Sequence, residues 1–188
     1  MQIDESIARV AAKLDEWFAE NRDLFASEDR REQNSALLGG FALVRELDRL
    51  KGEGLAAIRA LLNPAHTSTQ AEYAQSLVRG FEFAAKLADA LHDELLDTDG
   101  ETKVVLLMNQ IADTLDGVST GRAALAVLLD NPNPGVRALA GCYLIRSMPA
   151  RVVPILREVE EVARGTSAGF NAHSAIIRWE REEKPQGE

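Results

Sequence analysis

The side chains able to do chemistry are mostly acidic, and they crowd the middle of the chain. Asp89, Asp93 and Asp97 recur every four residues after Glu82, and Asp99 and Glu101 carry the charge across the following turn. Lys86 is the only lysine or arginine between residues 80 and 102. A four-residue step places side chains on one face of a helix. Carboxylates serving as general acid and base need surroundings that push their pKa values apart, and no apolar setting in the sequence does so. Two uses remain: a solvated outer face, or a docking surface for a cationic partner, whose complementary field speeds encounter and enforces selectivity. Asp113 and Asp116 can extend that surface from the next helix.

The other reactive residue types stand apart from one another. His66, His92 and His173 lack Cys or carboxylate neighbours at metal-ligand spacing. In His92-Asp93-Glu94 the separations are too short for ligands on one helical face. Cys142 has no histidine at a recognisable catalytic spacing and reads as a small buried residue. Glu158, Glu160 and Glu161 lie beside Arg157 and Arg164, as a solvated charged face would. The glycine pairs follow no strand, so no phosphate-binding loop is expected. These residues call for no cofactor and no metal, and the chain is expected not to be an enzyme. A deep pocket enclosing His92 or His173 with convergent carboxylates would reverse that expectation.

Helices must position all of these groups. Ile3, Ile7, Val10, Leu14, Trp17 and Phe18 form the stripe of a first helix. Ser27-Glu28-Asp29 marks a second start, with a stripe from Leu37 to Leu47 that ends near Gly52, and Leu55 to Leu62 makes a short third helix. Gly39-Gly40 weakens the second stripe. Asn63 to Thr69 is the expected linker. Thr69-x-x-Glu72 and Thr98-Asp-Gly-Glu101 are capping-box patterns, each opening a helix. Residues 121–129 form a short helix before the turn Asp130-Asn-Pro-Asn-Pro134, and Gly135 to Met148 form the next. Arg137 is expected to reach loop carbonyls or Asp130 and so hold neighbouring hairpins in register. Pro149 suits the first turn of the following helix, Pro154 is expected to kink or restart it, and Gly165 to stop it. Phe170, Ala172, Ile176 and Trp179 make the last stripe, with Phe170 and Trp179 capping the end of the core. Period-two alternation never persists. The expectation is an all-α protein of about nine helices: a block over 1–66, a main domain over 67–183 and a disordered tail over 184–188.

Gly54 to Pro64 and Gly121 to Pro132 parallel each other, as two copies of one helical unit would. Ala, Leu and Val dominate the apolar 46 % of the 188 residues, a mixture that favours helix over sheet. Acidic and basic side chains number twelve and nine before residue 67, eleven and four over 67–133, and seven and eight thereafter. The net charge of −9 therefore resides mainly in the middle third. Nucleic-acid binding needs the opposite sign and is not expected. No apolar run approaches the roughly 20 residues of a membrane span. The opening Met1–Ser6 lacks signal-peptide features and the single cysteine suits a reducing compartment, so a cytoplasmic location is expected.

From about Thr69 to Glu182 the chain resembles a bacterial family of small HEAT/ARM-like helical domains of uncharacterised function. The resemblance is carried by Ala123-Ala-Leu-Ala-Val-Leu-Leu129, the turn through Pro132, Val136-Arg137-Ala-Leu-Ala140, Pro149, Val153-Pro-Ile-Leu156, Phe170-Asn-Ala172 and Trp179. It implies a right-handed, α-solenoid-like stack of helical hairpins. Proteins similar to this look like immunity partners of bacterial toxins, which implies a protein that binds and masks a basic toxic enzyme. A general adaptor or scaffold would use the same fold, and a homodimer is compatible with it.

Overall fold

The computed structural model describes residues 2–25, 30–62, 69–93 and 97–183. Eight α-helices account for nearly all of them: α1 (Gln2–Phe25), α2 (Arg30–Leu61), α3 (Gln70–Asp93), α4 (Thr98–Asp116), α5 (Gly121–Leu125), α6 (Pro134–Leu144), α7 (Pro149–Val162) and α8 (Ser167–Glu183). A 3-10 segment, Ala126–Asp130, prolongs α5. No strand occurs among the described residues.

One helix fewer than expected results from a merger. The stripes on either side of Gly52 belong to a single helix, α2. Glycine weakens a helix by about 1 kcal/mol against alanine, but it removes no hydrogen bond, and no proline falls in this stretch. Gly40 has a use within α2. A methyl group there would come within 2.6 Å of the Trp17 indole, so its absence lets α1 and α2 approach over that ring. The expected start at Ser27, the linker at 63–68, His66 and the tail 184–188 lie outside the described residues.

By its contacts the chain divides into two compact units, Met1–Ala57 and Ile58–Glu188. That boundary falls inside α2, ahead of the expected one at residue 66. In the first unit Ile7, Leu14, Leu47 and Leu50 are buried. In the second, α3 packs along α4 and touches α5, α6 and α8, while α6, α7 and α8 pack pairwise. Its core is Ala- and Leu-rich: Leu77, Phe81, Ala84 and Leu91 of α3 meet Val104, Met108 and Ile111 of α4, with Val136, Leu144, Val152 and Leu156 beyond. Small residues permit close helix contacts. A Cβ at Gly141 of α6 would lie 2.6 Å from the Leu156 side chain of α7.

Several helix ends differ from expectation for local reasons. Thr69 caps α3 as expected, its Oγ1 accepting the Glu72 amide at 3.2 Å. For α4 the cap is Asp97, one residue before Thr98, and its carboxylate accepts the Gly100 amide at 2.9 Å. Asn133 caps α6, its Oδ1 accepting from Gly135 and Val136 at 2.8 and 3.2 Å. Pro154 lies within an unbroken α7. Pro154 and Ala150 are both exposed, so water can meet the carbonyl that the proline leaves unbonded. Gly165, at φ +86°, makes the turn after α7. No helix among the described residues is long and apolar enough to cross a membrane.

Candidate functional site

The last turn of α3 puts Asp89, His92 and Asp93 at i, i+3 and i+4, so all three leave the helix on one side. They meet the N-terminus of α8. The Ser167 amide donates to Asp93 Oδ1 at 3.3 Å. The Ser167 hydroxyl lies 3.1 Å from Asp89 Oδ1 and 3.1 Å from Asp93 Oδ2. Its single proton serves one carboxylate at a time. Negative charge is favoured at this positive end of a helix. Asp89 also reaches α6, where a Cβ on Gly135 would lie 1.6 Å from its Oδ2. Burial pushes the Asp89 carboxyl up to about 6, against the Ser167 hydrogen bond and with help from the Asp93 charge. Asp89 thus titrates in the range where acid–base chemistry operates, although the sequence shows no apolar setting for it. The setting comes from α6 and α8, which are remote in sequence.

Each imidazole is tied to a neighbouring helix. His92 Nδ1 pairs with Glu101 of α4 at 3.0 Å, a hydrogen bond that raises the histidine pKa against partial burial. His173 Nδ1 of α8 pairs with Glu160 of α7 at 2.7 Å. Both rings border a cleft of about 680 Å³, shared with Asp93, Glu160, Arg164 and Phe170. Phe170 is 70 % exposed. It does not cap the core, which corrects the sequence expectation. Ala172, Ile176 and Trp179 follow helical phase, whereas Phe170 precedes Ala172 by two residues and points to the opposite side.

The expected acidic surface is thereby divided. Asp93 accepts the Ser167 amide at the start of α8, Asp89 accepts the Ser167 hydroxyl, Asp97 caps α4 and Glu101 holds His92. Asp99 is exposed and pairs with Lys103. Asp113 is exposed, and Asp116 pairs with Arg122 at 2.7 Å. At 1.5 Å per residue these last two stand roughly 20 Å along α4 from Glu101. Arg137 is also corrected: its guanidinium bonds Glu158 of α7 at 3.3 Å, while Asp130 is taken by Arg151 at 2.9 Å. Both pairs still join neighbouring elements. Trp179 is partly buried, as a residue at the edge of the core would be.

The cleft therefore does bring two imidazoles and convergent carboxylates together. The His92 and His173 side chains remain 47 % and 55 % exposed, so the opening is broad and wet. The neighbouring Ser167 hydroxyl is held by carboxylates, with no ring nitrogen to activate it. Among the described residues no group of three His, Cys, Asp or Glu is arranged to hold a metal ion. What the arrangement offers is an exposed aromatic ring beside acidic and titratable groups. No family model, curated protein or solved structure matches the chain.

Proposed function

We propose that this chain is a non-catalytic, protein-binding helical-hairpin protein of HEAT/ARM-like design, which docks on a basic enzyme and masks it as an immunity or antitoxin protein would. One observation carries the reading: Phe170 stands exposed in a cleft whose acidic members are Asp93 and Glu160. An aromatic anchor with a charged rim is the usual make-up of a binding hot spot. The acids select a cationic face, and a lysine or arginine can also lie over the ring. The pairwise packing of α6, α7 and α8 gives the anchor a rigid base.

The test is co-expression with the product of the adjacent gene. A tight one-to-one complex that silences the partner's activity, and that Phe170→Ala loosens, is the expected result. Several loose partners would favour a scaffold. Failure of a basic partner to bind, or indifference to Phe170→Ala, rejects the docking site.

The two imidazoles favour a second reading, general acid–base catalysis, because each has Nδ1 fixed by a carboxylate. His92→Gln combined with His173→Gln separates the two. Masking of the partner survives that change if the cleft docks, and any turnover by this chain disappears if the cleft catalyses.

A further inference from the structure

A different part of the second unit carries a site of its own. Two cavities of about 290 and 350 Å³ share Cys142, Tyr143, Asn171 and Arg178. They adjoin as a groove along α6 and α8, the smaller also walled by α3 and α4 with Asp89 and Glu101, the larger reaching Trp179 and Glu182. Each half has the size of a small-molecule pocket.

The charges along it are unevenly satisfied. Glu182 stands four residues after Arg178, where an ion pair would ordinarily form, but it bonds Arg146 instead, at 2.7 Å. Arg137, Arg151 and Arg157 also have carboxylate partners. Arg178 is exposed, and no carboxylate bonds to it among the described residues. Beside it the Trp179 indole N–H is buried with no acceptor within reach. A buried donor left unbonded is costly, and the Trp179 side chain lines this groove.

The remaining walls are neutral. Burial raises the Cys142 thiol to about 11 and the Tyr143 phenol to about 12. The Tyr143 hydroxyl is 2.5 Å from Asn109 Oδ1, and its ring is fixed edge-on to Phe81 at 5.3 Å. Leu139, Val105, Ile145 and Ala175 supply apolar surface.

We propose that the groove binds a small carboxylic acid with an apolar body, its carboxylate held by the Arg178 guanidinium with the Trp179 indole N–H as second donor. A guanidinium matches a carboxylate in bidentate fashion. A single unpaired arginine suits a monoanion. A dianionic phosphate would find no second unpaired cation, since Glu182 holds Arg146, and would meet the Asp89 and Glu101 carboxylates.

Benzoate serves as the probe, followed by the indole N–H resonance of Trp179 in the full chain, assigned by its persistence in Trp17→Phe. A saturable shift at millimolar benzoate is expected. Arg178→Gln should weaken it by about tenfold or more, the worth of a charge-assisted bond. Arg178→Lys should be intermediate and Arg181→Gln silent, with unchanged circular dichroism in all three. No saturable shift, equal affinity in Arg178→Gln, or tighter binding of phenyl phosphate than of benzoate would overturn the assignment. None of these outcomes depends on a protein partner.

Discussion

Asp89 shows how a residue chosen for its charge can work mainly through its proton. Its folded value of about 6 stands above the ordinary 3.8. Below pH 3.8 the carboxyl is neutral in both folded and unfolded chains, and its burial does no harm. As pH rises toward 6 the unfolded chain has already released its proton, while the folded one must ionise a buried group. The stability lost by pH 7 is on the order of 3 kcal/mol. His92 acts in the same direction: its raised pKa reflects the Glu101 bond, whose contribution is full below the unfolded histidine value and is lost as pH rises through the folded one. Asp116, lowered by its Arg122 bond, acts in the opposite sense and only below its ordinary 3.8. Between pH 4.5 and 7.5 the urea midpoint should therefore fall as pH rises. Asp89→Asn, which imitates the protonated form and can still accept from Ser167, should raise the midpoint at pH 7.5 and flatten the slope. A lower midpoint at that pH would mean that the ionised carboxylate is the form α8 needs.

Helix ends and helix phases explain which features of the fold and site can be read from the sequence. Stripes at three- and four-residue steps reveal α1, α3, α4, α6 and α7 because burial follows one face of each. The α2 merger is not visible, since a glycine marks a stop only when tertiary contacts do not favour continuing. The α4 cap is displaced by one residue because Asp97 and Thr98 are equivalent candidates until Glu101 is drawn to His92. Phe170 is assigned inward when its apolar character outweighs its phase. The junction at Asp89 is the least legible feature, since it joins α3 to the starts of α6 and α8, and no periodic pattern encodes such a meeting. Gly135 records it indirectly. Gly135→Ala should destabilise the fold by about 1–3 kcal/mol, the usual range for overpacking, because the new methyl enters the space of the Asp89 carboxylate. Adding Asp89→Ala should recover much of that loss. A double-mutant cycle of denaturation midpoints measures the coupling, and strict additivity would show that the helix yields elsewhere.

At the scale of the whole chain, charge and anchor do different work, and association kinetics can separate them. Exposed acids such as Asp99 and Asp113 of α4 do not line the cleft that Phe170 occupies. Their field reaches about a Debye length, roughly 8 Å at physiological salt, so they steer a basic partner without gripping it. Asp99→Lys with Asp113→Lys should slow association with a basic partner and reduce its salt dependence, leaving dissociation nearly unchanged. Phe170→Ala should do the reverse, speeding dissociation about tenfold or more with little effect on encounter. Acidification adds a third signature. Protonating His92 places positive charge beside Asp93 and Arg164 in the cleft, with Glu101 behind it and Asp89 close by. The result is a cleft less attractive to a cation in the pH range where the fold itself gains stability. Binding measured by calorimetry at pH 5.5 and 7.5 should therefore weaken on acidification while the urea midpoint rises. If both moved together, loss of binding would track the fold, and the His92 imidazole would have no part in recognition.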